Sequence, residues 1–106
     1  MPKYMTVASY TPEGVRGLIK DGGTGRRAAV EKAIMALGGR LEGFYFAFGE
    51  DDVFVISEAP DHVSVAALSL AVGASGLVRA RTIVLLSPEE MDAAAKKSIS
   101  YRGPGQ

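Results

Sequence analysis

The side chains of this chain best suited to chemistry are one histidine, a few acids at turns and two arginines in an alternating stretch. His62 follows Asp61 at a strand-to-helix switch, where its imidazole could act as a general base at a pocket mouth. The alternative is a solvated residue in a first helical turn. Asp52 closes the acidic run Glu50-Asp51-Asp52, which could hold a hard cation through oxygens or simply bond nearby amides in a turn. With His62 it forms the candidate catalytic pair. Arg79 and Arg81 alternate, so they share one strand face. There they form a clamp for a carboxylate, or simply a charged strand end, or an inter-subunit pair with Glu42 or Glu58. Tyr10 and Tyr45 join them as candidate ligand-binding residues, within an aromatic set that includes Phe44, Phe46, Phe48 and Phe54. The run Asp21-Gly22-Gly23-Thr24-Gly25-Arg26-Arg27 could turn backbone amides and two cations toward an anion. It lacks the Lys-Ser/Thr of a P-loop and follows a helix, so its other reading is a break between helices.

Composition removes whole classes of chemistry. The chain has no cysteine, which excludes disulfides, thiolate nucleophiles and iron–sulfur clusters. A single histidine leaves zinc or copper without a ligand set, and no metal or cofactor is expected. Ser9, Ser57 and Ser75 stand in no glycine elbow and near no histidine, which disfavours a serine hydrolase. Twelve basic and twelve acidic residues cancel, leaving no electrostatic footprint for nucleic acid. No apolar run approaches the ~20 residues of a membrane span, and the start of the chain lacks a signal-peptide pattern. The expected location is the cytoplasm, with no membrane partner.

The 106 residues suit one domain, expected over 1–97 with a loose tail over 98–106. Strands are predicted over Lys3–Tyr10, Arg40–Phe48, Val53–Ala59 and Val78–Leu86. Thr11-Pro12-Glu13 starts a helix, interrupted at the glycine run and resumed from about Arg26 to Leu37. Val30, Ala33, Ile34 and Leu37 form its apolar face, and Gly38-Gly39 stops it. Asp61 caps a second helix over Val63–Val72. Ser87 and Glu90 are spaced as a capping box for a third, running to about Lys97. The order is α+β, a ferredoxin-like βαββαβ with a four-stranded antiparallel sheet, helices on one face, and a short C-terminal helix.

A sheet with one wet face alternates apolar and polar residues. These strands do not. Phe44, Phe46 and Phe48 oppose Leu41, Gly43, Tyr45 and Ala47; Val53 and Val55 oppose Phe54 and Ile56; Thr82 and Val84 oppose Ile83 and Leu85. Helices cover one face, and the C-terminal helix is long enough to cover only part of the other. A second copy of the sheet is the expected cover, which makes the protein a homodimer.

The junction Tyr10-Thr11-Pro12-Glu13-Gly14, the Gly38-Gly39 stop before a strand containing Tyr45, the turn Phe48-Gly49-Glu50-Asp51-Asp52 and Ala59-Pro60-Asp61 together resemble the GYD domain family. The resemblance spans about Tyr4 to Glu90. Gly49 and Asp52 match the family's turn, while Asp51 stands where it usually carries tyrosine. The resemblance implies a place among the dimeric α/β-barrel proteins, whose ferredoxin-like sheets pack face to face. It implies no particular reaction. The expected function is a homodimeric small-molecule-binding domain. The alternatives are a cofactor-independent monooxygenase or isomerase acting on a small aromatic or lactone substrate, and a purely structural assembly module.

Overall fold

The computed structural model describes residues 1–106. β1 (Lys3–Tyr10) leads into α1 (Pro12–Ala36), then β2 (Arg40–Phe46), β3 (Val53–Glu58), α2 (His62–Ala74), β4 (Val78–Leu85) and α3 (Pro88–Ala95). Every helix start is set locally. Thr11, Asp61 and Ser87 each accept a hydrogen bond from the amide three residues on, and Ser87 and Glu90 cap each other reciprocally. The amides of Gly38 and Gly39 return to the Met35 and Ile34 carbonyls and close α1.

The strands form one sheet in the order β2-β3-β1-β4, with every neighbouring pair antiparallel. β1 and β2 therefore run parallel with β3 between them, and β3 and β4 run parallel with β1 between them. Each parallel pair is joined by a helix, α1 and α2 respectively. The element order fits the split βαβ arrangement, and the chain is an α+β protein with a four-stranded antiparallel sheet and three helices.

Directly paired residues share a sheet face, so the register sorts the strands. Tyr4, Thr6, Ala8 and Tyr10 of β1 lie with Ser57, Val55 and Val53 of β3 and with Val84, Thr82, Ala80 and Val78 of β4. This is the face that meets the helices. Its core is Ala8, Ile34, Leu41, Val53 and Val55, with Tyr10, Val30, Phe44, Leu68 and Val78 packed around it. Burying each of the larger aliphatic side chains stabilises the fold by about 1.5–3 kcal/mol. The opposite face carries Lys3, Met5, Val7 and Ser9 with Phe54, Ile56 and Glu58, and with Arg79, Arg81, Ile83 and Leu85.

β2 departs from simple alternation. Leu41 pairs with Ser57 and Gly43 with Ile56, so Glu42 is an extra residue at a bulge. The bulge turns Leu41 to the helix side, together with Phe44, where strict alternation places it with Gly43 and Tyr45. It also brings Glu42 to Lys3 at 2.9 Å and to Arg40 at 3.1 Å, and Arg40 reaches Glu58 at 3.4 Å. The hydrogen bond from Lys3 lowers the Glu42 pKa, and the same bond raises that of Lys3.

The glycine run breaks the helical stretch, as expected from the sequence: Gly22 alone leaves helical geometry, at φ 78°, ψ 164°, and the helix resumes directly after it. One feature differs from the sequence expectation. α3 does not cover the second sheet face. All its residues are exposed, and Ser98–Gln106 beyond it carries no helix or strand. The radius of gyration is 16.8 Å, against about 13 Å for a compact 100-residue domain. The longest dimension is 54 Å, about twice the length of an eight-residue strand. The C-terminal segment thus extends the molecule without closing it. An eight-residue helix with three alanines at its end has too little apolar surface to hold a docked position against chain entropy.

Candidate functional site

α1 packs over β2 and β1, and α2 packs over β4. Between them, above the sheet, lies a cavity of about 430 Å³. This is within the usual range for small-molecule sites. The floor is Thr6, Ala8, Val55, Ala80 and Thr82, one wall is α1 from Gly14 with its C-cap Leu37, and the other is α2 from Val65 with its C-cap Ser75. Of 28 lining residues 19 are hydrophobic, so the interior suits an apolar molecule. The cavity exists because the residues facing it are small. Ala29 and Ala33 of α1, Ala71 and Ser75 of α2, and Ala8 and Ala80 of the sheet leave space that larger side chains would fill.

A few polar groups break the apolar lining. Tyr10 stands at the end where β1 enters α1. Thr6 and Thr82 form a facing pair on the floor, their hydroxyl oxygens 3.4 Å apart. Ser57 is buried beside them on β3. Asp21 and Arg26 are the only charged residues of the lining. In an unbroken helix residues five apart point about 140° away from each other. The kink at Gly22 lets these two share one wall. The Nε of Arg26 is closed off from solvent and has no hydrogen-bond partner. An unmet buried donor of this kind costs about 1–3 kcal/mol, more when charged. The ion pairs of the molecule involve neither Arg26 nor Asp21.

Of the residues singled out by sequence, Tyr10 alone among the candidate ligand-binding and catalytic set lines this cavity. His62 is the first residue of α2 and lies outside this cavity's lining. Its Nδ1 lies 2.6 Å from the Tyr4 hydroxyl, which donates when Nδ1 carries no proton. The two rings meet edge to face at 5.7 Å. Tyr4 is the largest fully buried side chain of the protein, at 2% exposure. Together they border a shallow groove between α2 and β4, lined also by Val65, Ser69, Leu70 and Val84.

Asp52 lies at the far end of the sheet. Its Oδ2 accepts from the Tyr10 amide at 2.8 Å, its own amide donates to the Ala8 carbonyl at 2.9 Å, and its carbonyl accepts from Ala47 at 2.8 Å. It thus ties the β2–β3 turn to the end of β1. The neighbouring acids do not gather into a metal-binding group. Tyr45, Arg79 and Arg81 occupy the sheet face opposite the helices. Phe44 borders the cavity, while Phe48 is fully exposed in the turn.

The hydroxyl residues of the cavity that sequence reasoning did not place in a site are Thr6, Ser57, Ser69, Ser75 and Thr82. The signal for those on the sheet was the even-numbered face of β1, where Thr6 stands between Tyr4 and Ala8. Its partners are fixed only by the pairing of β1 with β3 and β4. Arg26 was visible as part of the glycine–arginine run, but not as a charge lining an apolar cavity.

No helix is long and apolar enough to cross a membrane. Among curated proteins none matches the chain. A family model for the GYD domain matches residues 4–95, from the first residues of β1 to the end of α3. The chain belongs to the GYD domain family.

Proposed function

We propose that this protein is a small-molecule-binding domain that works as a homodimer, each subunit taking an apolar ligand between its sheet and its helices. The observation that carries the reading is the cavity of about 430 Å³, apolar in most of its lining and edged by a few polar groups. His62 and Asp52, the groups a cofactor-independent monooxygenase or isomerase would use as a base, stand outside that lining. Binding is therefore the better-supported function than turnover.

The dimer reading rests on the uncovered sheet face. Met5, Phe54, Ile56, Ile83 and Leu85 lie on it without a helix above them, and Tyr45 is 66% exposed there. The same face holds Arg79 and Arg81 at one corner and Glu42 and Glu58 near the diagonally opposite one. A twofold copy can set one subunit's arginines over its partner's carboxylates. The C-terminal segment, with Met91, Ile99 and Tyr101 exposed, adds apolar surface that its own sheet does not use. The fold behind this reading is the ferredoxin-like one of the dimeric α/β-barrel proteins, supported by the split βαβ order.

The test uses N-phenyl-1-naphthylamine, a neutral apolar fluorophore, together with native mass spectrometry. Ala80 lies on the cavity floor, and Ala80→Phe should block the probe while leaving subunit number unchanged. Ile83→Glu should yield monomers that keep the fold. A probe that binds Ala80→Phe as well as wild type would overturn the cavity reading. A wild-type monomer would overturn the dimer.

A further inference from the structure

From the surroundings of Arg26, we infer that the cavity selects apolar molecules that carry a single carboxylate, with the Arg26 guanidinium as its anchor. The inference deepens the small-molecule reading above and rests on it.

Three observations point the same way. First, Arg26 is the one cation in a lining that is otherwise apolar or uncharged except for Asp21. A guanidinium placed against an apolar space, and not ion-paired with the one carboxylate of the lining, is the arrangement that a charge-bearing apolar ligand completes. Second, its Nε is shut off from solvent and makes no hydrogen bond, although a surface arginine would normally find water. No ion pair involves Arg26. Asp21 makes no ion pair, and Glu31 is engaged at 3.9 Å by Arg27. Third, the kink at Gly22 is what directs this side chain to the cavity. Without it Arg26 and Asp21 would point about 140° apart.

The chemistry narrows the anion. An arginine fork matches the two oxygens of a carboxylate in one plane. A phosphate monoester would bring nearly two charges to a single cation, beside the Asp21 carboxylate, with no second base in the lining. The hydroxyls of Thr6, Ser57 and Thr82 can meet a hydroxyl or carbonyl elsewhere on the ligand, and the alanine-lined space takes its apolar body.

The experiment displaces N-phenyl-1-naphthylamine with naphthalene-2-carboxylate and with its neutral counterpart naphthalene-2-carboxamide. It compares the full-length wild type with Arg26→Gln and Arg26→Lys, each checked for folding by circular dichroism. The wild type should prefer the carboxylate at least tenfold. Arg26→Gln should bind both compounds alike, with the affinity for the amide unchanged. Arg26→Lys keeps the charge but not the fork, and should retain a part of the preference. Equal binding of acid and amide to wild type, or a preference that survives Arg26→Gln, would overturn the inference while the cavity reading stands. Failure of the neutral fluorophore to bind wild type would overturn both. If Arg26→Gln does not fold, the lysine variant decides, and an undiminished carboxylate preference in it counts against the fork.

Discussion

Replacing Gly22 by alanine tests the one residue of this helix whose backbone conformation favours glycine. At φ 78°, ψ 164° this residue sits in a region that an L side chain enters at a cost of about 1–3 kcal/mol. A Cβ at that position meets no other atom within 4 Å, so a steric clash adds nothing and the cost is conformational alone. Gly25 is the internal control. It lies in the same helix without a positive φ, and its added Cβ would touch only the Asp21 Cβ at 3.5 Å, an ordinary contact. Alanine there should stabilise the helix by about 0.5–1 kcal/mol. The two single-methyl substitutions, three residues apart, are thus expected to move stability in opposite directions. At roughly 4–8 °C per kcal/mol for a domain near this size, Gly22→Ala should lower Tm by about 4–24 °C and Gly25→Ala should raise it by a few degrees. Thermal unfolding followed by far-ultraviolet circular dichroism reads both. A Gly22→Ala protein as stable as wild type would mean that the helix has no need of the kink. The argument that the kink aims Arg26 at the cavity would then fail with it.

Other consequences follow from the hydrogen bonds and close approaches. Asp52→Ala leaves the partly buried Tyr10 amide without its acceptor and should cost about 1–3 kcal/mol in urea unfolding, while Asp52→Asn, whose side-chain oxygen can still accept, should keep most of the stability. A catalytic role for Asp52 would instead show Asn as damaging as Ala in a turnover assay, with stability intact. Gly14→Ala should abolish soluble folded protein, because its Cβ would run into the Leu77 carbonyl oxygen, to which the Thr11 amide is already bonded at 3.0 Å; normal expression and melting of this variant would contradict the packing of α1 on the α2–β4 junction. Asp61 and Glu90 accept the backbone amides of Ser64 and Ser87, which hold both carboxyls below their ordinary pKa. A depressed folded pKa contributes stability above the unfolded value and loses it as pH falls through the folded one. Tm should therefore drop on acidification below the ordinary carboxylate range, about pH 4, and Asp61→Asn with Glu90→Gln should flatten that limb. An unchanged acid limb in the double variant would show that the caps do not contribute to it. Lys3 has the opposite sign: its raised pKa contributes stability that is present at neutral pH and lost only as pH climbs through its folded value.

Local chemistry in this chain is legible residue by residue. Thr11, Asp61 and Ser87 announce helix starts because each can meet an amide three residues away, and those bonds form whatever the rest of the molecule does. β1 occupies Lys3–Tyr10 in sequence and structure alike, and the helix stop at Gly38-Gly39 is in place. The doubly apolar strands were equally readable, and so was membership of the GYD domain family. Which face meets the helices was not, since Val53 and Phe54, or Val84 and Ile83, are equivalent in hydropathy pattern. Pairing decides it: Ala8 opposite Val53 and Ala80, and Leu41 turned inward by the bulge at Glu42.

The site shows the same division more sharply. Residue types revealed that the chain has one histidine, no cysteine and a glycine–arginine run, and so limited the available chemistry. They did not reveal where these groups meet. Tyr4 and His62 are 58 positions apart and bond through a crossover of the sheet. Asp52 is fixed by the end of β1, 42 positions earlier. Arg26 becomes notable only because a helix bends at Gly22 over small side chains contributed by three separate elements. Hydrogen bonds between near neighbours are written in sequence, because the chain itself holds the partners close. A cavity is the space that many distant side chains leave unfilled, and only their packing in three dimensions determines it.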